Sequence, residues 1–272
     1  MSYEHWTLDD IDWAAFEPAK VDPEILKIIK AASMVEYNGA DYATYLCNVF
    51  PDDSEFQEAV NRWADEEIQH GAVLARWAEL ADPVFDFKAS FKRFADGYSL
   101  PLDASTSVRG TRSGELVARC IVEVGTSSYY SALADASEEP VLIRICKLIA
   151  ADELRHYKLF YSFLKRYLKT EKIGRLRRVL IAFGRISETE DDELAYAYFA
   201  ANGEGEAYDR KLWSKAYLQR ASQYYRPKHL DLGVAMTFKA AGLNPQSRLA
   251  GWASRAGYWA IRQKAKGLKQ AA

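Results

Sequence analysis

A chain of 272 residues that is 49% hydrophobic and 27% charged has the make-up of a globular protein with a sizeable core. Its formal charge of −2 argues against a nucleic-acid binder, and 15 glycines are too few for low-complexity linkers. No apolar run approaches the roughly 18 residues of a membrane span, and the N-terminus lacks a basic-then-apolar leader, so a cytoplasmic location is expected. Cys47, Cys120 and Cys146 are far apart and form no Cys-x-x-Cys, which excludes a local zinc ribbon or rubredoxin-type knuckle. Their apolar, helix-like surroundings predict small buried hydrophobes.

Almost nothing reads as strand. After an arm over residues 1–20, Asp22 and Pro23 place a cap residue before a proline at the first helical position, and predict one long helix over 22–49. Ser54 with Gln57 has the pattern of a capping box and opens a second helix over 54–81, stopped by Asp82 and Pro83. A short connecting helix is predicted over 89–98. A Ser/Thr/Gly-containing segment then leads into a third long helix over 113–136, and residues 137–140 restart the chain into a fourth that ends near 168. Four long helices with a long crossing between the second and third predict an all-α, ferritin-like four-helix bundle over residues 21–170. Residues 171–272 predict a C-terminal extension packed on the bundle, with shorter helices over 172–186, 187–201, 206–225, 228–241 and 246–268. The acidic run 188–193 contains no histidine and, following Ser187, fits a helix N-terminus rather than a metal site.

Two of the four histidines occupy the same local context. Glu67 with His70, and Glu153 with His156, each form Glu-x-x-His, and three residues apart on a helix means one face. A carboxylate oxygen beside a neutral ring nitrogen suits iron or manganese. A two-metal site in a four-helix bundle needs one further carboxylate from each remaining long helix. Glu36 and Glu123 stand at matching distances before the two motifs, both mid-helix among apolar residues where a lone glutamate is costly to bury. Six metal ligands are therefore predicted: Glu36, Glu67, His70, Glu123, Glu153 and His156. Helix geometry points Asp65, Glu66 and Asp152 away from the metal-facing stripe. Glu66 is read as solvated, and Asp152 as an acceptor for the outer ring N–H of His70 across the bundle. His5 and His229 have no acidic partner at ligand spacing and are read as non-ligands. Trp63, four residues before Glu67, is the aromatic side chain expected nearest the metals.

With these residues in hand, the chain resembles the soluble acyl-carrier-protein desaturases of the ferritin-like di-iron family over roughly residues 30–170. The resemblance rests on Trp63-Ala-Asp-Glu-Glu67-Ile-Gln-His70-Gly71, on Ile149-Ala-Ala-Asp-Glu153-Leu-Arg-His156, and on Glu123-Val-Gly-Thr126. It implies the same six ligands, two iron ions and dioxygen as co-substrate. Thr126 is implied as a pocket residue linked to oxygen handling. The reaction implied is removal of hydrogen from an unactivated C–H bond of a fatty-acyl chain, with acyl carrier protein presenting the substrate, a ferredoxin-like donor supplying electrons, and a homodimer as the assembly. The last hundred residues carry no such match. A hydroxylase, an aldehyde-deformylating oxygenase and a ferroxidase or peroxidase of the ferritin–rubrerythrin type share the ligand order and remain alternatives.

Two further expectations concern substrate room and partners. Gly125, Thr126, Ser127 and Ser128 are small and follow Glu123 directly, as a cavity lined by Val117, Ile121 and Val124 requires, or as close helix packing requires. After Asp231 no acidic residue occurs. Arg248, Arg255 and Arg262 repeat every seven residues beside an apolar stripe of Leu249, Trp252, Ala256 and Trp259. Such a helix either packs its tryptophans on the bundle or docks an acidic carrier or an anionic membrane surface.

Overall fold

The computed structural model describes residues 5–188, 192–203 and 205–266. The described residues are helical with no strand. The predicted first helix is two: α1 (Pro23–Tyr37) and α2 (Gly39–Val49), separated at Asn38. Asp22 caps α1 through the Glu24 and Ile25 amides, with Pro23 at the first turn as expected. The cause of the break lies across the interface. α1 and α2 pack on α3 (Ser54–Ala81), and the backbones meet where α1 passes into α2. A Cβ on Gly71 would fall 2.6 Å from Tyr37 Cα, and one added to Gly39 would fall 2.8 Å from Glu67 Cβ. Only glycine fits at either position, and this close approach sets Glu36 against Glu67.

Helix α3 is capped by Asp53 through the Phe56 amide, so Ser54 is the first helical residue and not the cap. After α4 (Phe87–Gly97) and a long connection, α5 (Arg112–Ala136) is capped by Thr111 through the Gly114 amide. α6 (Pro140–Glu171) is capped by Glu139. That carboxylate is fully buried and also accepts from Trp77 Nε1 at 2.7 Å, tying the start of α6 to α3. α5 pairs with α6, and α6 meets α3, which completes the four-helix arrangement.

The bundle interior has two apolar clusters. One holds Ile28, Met34, Trp77, Leu133 and Ile145, and reaches to Trp6 and Ile11 of the N-terminal arm. The other holds Phe50, Phe56, Trp63, Leu116, Val117, Cys120, Val124 and Phe160. Along α3 and α6 the predicted ligands lie between the two clusters, and in α5 Glu123 lies at the end of the second, beside Val124. Cys120 and Cys146 are buried as expected, whereas Cys47 is only half-buried.

α7 (Arg175–Ser187) packs on α5, α8 (Asp192–Asn202) on α1 and α4, and α9 (Arg210–Ser222) on α8. α10 (Pro227–Ala240) packs on α5, and α11 (Arg248–Lys266) on α10 and α9. The acidic run is divided: Asp192 and Glu193 stand in the first turn of α8, as expected of a helix N-terminus, while Glu188 closes α7. Glu188 takes a bidentate pair from Arg109, while Glu193 is buried in α8 and accepts from Tyr42. Residues 189–191 lie outside the described residues. The tryptophans expected to pack on the bundle do not: Trp252 and Trp259 are two-thirds exposed.

Candidate metal centre

All six predicted ligands are buried and converge on one point of the bundle. Their oxygen and nitrogen atoms form two groups, each within 4.8 Å: Glu36, Glu67, His70 and Glu153, and Glu67, Glu123, Glu153 and His156. Glu67 and Glu153 belong to both. His156 Nδ1 lies 3.0 Å from Glu67, 3.5 Å from Glu123 and 3.9 Å from Glu153. His70 Nδ1 lies 3.4 Å from Glu153 and 3.6 Å from Glu67. The Glu-x-x-His spacing produces this directly, because it stacks carboxylate and imidazole on one face of α3 and again on α6.

The outer ring nitrogens are held by the residue that precedes the glutamate of the opposite motif. His70 Nε2 is 3.1 Å from Asp152, as predicted, and His156 Nε2 is 2.8 Å from Glu66. The expectation that Glu66 is solvated is thus overturned: it is three-quarters shielded and serves His156 as Asp152 serves His70. Arg155 bridges the two acids, bonding Asp152 and lying 3.1 Å from Glu66. An acceptor on each Nε2 keeps the proton there and turns the Nδ1 lone pair inward.

The N-terminal arm closes this layer. Trp6 Nε1 donates to Asp152 at 2.7 Å, and the indole stacks on His70 with planes 9° apart. His5 Nε2 lies 2.9 Å from Asp152 and 3.3 Å from Glu66, acidic partners that its sequence neighbourhood does not reveal. Gln69 holds the arm by donating to the Trp6 carbonyl. His5 thus remains outside the six-residue cluster, facing its supporting acids. His229 pairs with Asp135 at 2.8 Å on α10, away from the cluster. Tyr130 donates to Glu36 at 2.6 Å, a contact that no local pattern indicates.

Thr126 Oγ1 lies 2.7 Å from Glu153 and within reach of the Val122 and Glu123 carbonyls. Of the small residues beside it, Ser127 donates to the Ala150 carbonyl of α6 and Ser128 to the His229 carbonyl of α10, whereas a Cβ added to Gly125 would meet open space. Val117, Ile121 and Val124 are buried in the second apolar cluster. A pocket of about 540 Å³ lies between α2 and α3, lined by Ala40, Ala43, Cys47, Asn61 and Ala64 among others. Trp63 is buried with its ring edge-on to His156.

Electrostatics show how the cluster manages its charge without metal. Burial pushes the Glu123 carboxyl up to about 8, and burial with the neighbouring Glu67 raises Glu36 well above the carboxylate range. Burial also opposes ionisation of Glu67, but the His156 and His70 rings override it and hold that carboxyl well below its usual range. Burial works against a charged ring at both histidines, yet Asp152, Glu153 and Glu67 raise His70, and Glu123, Glu153, Glu66 and Glu67 raise His156.

One observation tests whether the residues fit a metal. Buried oxygens of Glu67, Glu123 and Glu153 and the inward Nδ1 of both histidines have no aligned hydrogen-bond partner. Buried polar atoms are paired as a rule, and five orphans aimed at one point are the signature of ligands. The donor set is all carboxylate and imidazole, duplicated, with two carboxylates common to both halves.

An all-α bundle carrying two carboxylate–histidine half-sites is a ferritin-like helical scaffold whose buried donors fit a metal. Residues 41–183, more than half of the chain, match the fatty acid desaturase family, and the chain belongs to it. The matched stretch contains every member of the cluster except Glu36, whose place rests on the geometry alone. Comparison with curated proteins returned no match. No described helix is long and apolar enough to cross a membrane.

Proposed function

We propose that the chain is a non-haem di-iron oxidoreductase that uses dioxygen to remove hydrogen from an unactivated C–H bond of a fatty-acyl chain. The observation that carries this reading is the duplicated half-site with the Nδ1 atoms of both histidines turned inward to the shared carboxylates. Glu36 and His70 would hold one iron, Glu123 and His156 the other, with Glu67 and Glu153 serving both. Iron bound there would supply the reduction of dioxygen and an oxidant able to attack an alkyl C–H bond.

The protein's own groups do the rest. Asp152 and Glu66 fix the histidine tautomers, and Arg155 compensates their charge. The Thr126 hydroxyl at Glu153 is placed to hold a proton next to the centre, and the Tyr130 phenol restrains Glu36. The apolar clusters on either side exclude water and so protect a reactive centre from side reactions. No flavin or nicotinamide motif is present in the sequence, so reducing equivalents come from a separate donor of the ferredoxin type. Acyl carrier protein is the proposed vehicle for the substrate, and a homodimer the proposed assembly.

The test is to load the chain with ferrous iron anaerobically, add a reduced donor, oxygen and a long-chain acyl carrier protein, and analyse the acyl group by mass spectrometry. A product lacking two hydrogens supports a desaturase. A product that gains oxygen or is shortened by one carbon moves the reading to a hydroxylase or a deformylating oxygenase. Iron oxidation at the same rate with and without substrate, and no altered acyl group, would contradict the proposal in favour of a ferroxidase.

A further inference from the structure

Helix α7 reverses the usual placement of apolar side chains. Leu176, Leu180 and Phe183, spaced to share one face, are 74%, 63% and 71% exposed, with Ile186 beyond them. On α11 the stripe Leu249, Trp252, Ala256 and Trp259 also faces water, and its three large members are each more than 60% exposed. The inner face of α11 is small and polar: Ala250 is buried, and Ser254 donates to Asp231 of α10. Contiguous apolar surface of this kind on a folded chain marks an interaction site.

The end of α10 brings the start of α11 near α7. Ala182 of α7 and Ala240 of α10 share one apolar cluster, and Gly242, in the turn from α10 to α11, lies so close to Arg178 of α7 that an added Cβ would fall 2.6 Å from its Cζ. Neither α7 nor α11 contains an acidic residue. Exposed cations flank both stripes: Arg175 and Arg177 on α7, and Arg248, Arg255 and Arg262 on α11.

We propose that α7 and α11 form a lipid-contacting face that seats this protein on an anionic bilayer surface. Charge decides the occupant. A second copy offering the same face would bring arginines against arginines with no carboxylate on either helix to neutralise them. An acidic carrier protein would be held by the arginines alone, leaving seven large apolar side chains without a role. An anionic bilayer answers both features: leucine, phenylalanine and tryptophan enter the headgroup–acyl boundary while arginines remain at the phosphates. The contact is interfacial, since no described helix is apolar enough to cross the membrane.

Flotation of the full chain with vesicles tests this without reference to iron or turnover. The chain is expected to float with vesicles of equal parts phosphatidylglycerol and phosphatidylcholine, weakly with phosphatidylcholine alone, and less as salt rises. Trp252→Ser with Trp259→Ser, Leu180→Ser with Phe183→Ser, and Arg255→Glu with Arg262→Glu are each expected to lower the partition coefficient by about tenfold or more. These side chains are exposed, so thermal melting of the variants should match the parent, and melting also separates loss of binding from loss of fold. Brominated lipids should quench fluorescence from Trp252 and Trp259. No flotation with anionic vesicles, or equal flotation of all variants, overturns the proposal. A dimer in the parent that the Trp252/Trp259 variant converts to monomer would also overturn it, because the face would then be a subunit interface.

Discussion

The bundle α1–α6 and the outer helices α7 and α11 break the same rule in opposite directions. In the bundle, Glu36, Glu67, Glu123, Glu153, His70 and His156 are buried among apolar clusters where charge is expensive. On α7 and α11, leucines, a phenylalanine and tryptophans stand in water where they gain nothing. Ordinary folding pressure produces neither pattern. Buried charge persists in the bundle because each supporting group is itself held: Asp152 by Trp6 and Arg155, Glu66 by Arg155, Glu36 by Tyr130. Leu176, Leu180, Phe183, Leu249, Trp252 and Trp259 are instead each more than 60% exposed, which directs attention to a partner beyond the chain. Inward-facing charge supports the proposed chemistry, and outward-facing hydrocarbon the proposed surface.

The largest effect should come from breaking the shared carboxylates. Glu153→Ala removes a member of both half-sites and is expected to abolish stoichiometric iron binding and turnover, read by metal analysis of the purified chain. The same substitution removes the carboxylate that, against burial, the His156 and His70 rings hold below its usual range and that accepts from Thr126, so the metal-free fold should lose some stability. Thermal melting of apo protein checks this.

A stability contrast inside the bundle comes next. Gly71→Ala places a methyl group against Tyr37 backbone and should cost about 3 kcal/mol, seen in denaturant titration. Gly125→Ala has open space and should be neutral or stabilising by up to about 1 kcal/mol, from helix propensity alone. Similar losses at the two positions would mean that the crossing of α1 and α3 is not the tight contact described.

The supporting acids sharpen the symmetry of the two half-sites. Asp152→Asn and Glu66→Gln are each expected to weaken iron affinity by about 10- to 100-fold, measured by competition with a chelator. If only Asp152→Asn has an effect, the equivalence of the halves fails.

The smallest effect concerns acid stability. Pairing of Asp53 with Arg166, Tyr167 and the Phe56 amide overcomes its partial burial and holds its carboxyl below the usual range. A depressed carboxylate stabilises the fold fully above its unfolded pKa, near 3.9 for aspartate, and loses that contribution as pH falls through the lower native value. Asp53→Asn should therefore lower stability near neutrality slightly and flatten the acid limb of an unfolding-versus-pH curve.

The six-residue cluster was legible in the sequence because it is local: Glu-x-x-His is a one-turn relation, and Glu36 and Glu123 stand out as carboxylates in apolar helix faces. Asp152 was legible from the same helix geometry, as was the buried pair Cys120 and Cys146. Glu66 was misread because the same geometry that points it away from the metals aims it at the outer nitrogen of His156, 90 residues on. Trp6 and His5 reach Asp152 across more than 140 residues, which no local pattern encodes. The break at Asn38 was hidden because apolar periodicity continues through it, and its reason, the approach of Gly39 and Gly71, exists only in tertiary structure. The capping role assigned to Ser54 belongs to Asp53, one residue earlier, since both types cap helices. For α11 the amphipathic pattern was plain, but periodicity alone does not say whether a stripe faces the bundle or the solvent.

The most direct measurement is iron titration of the apo chain, with Glu67→Ala and Glu153→Ala alongside, read as bound iron per chain. The account predicts two irons per chain in the parent and loss of both in each variant, since each carboxylate belongs to both half-sites. Failure of the parent to bind iron, or unchanged binding in both variants, would contradict it.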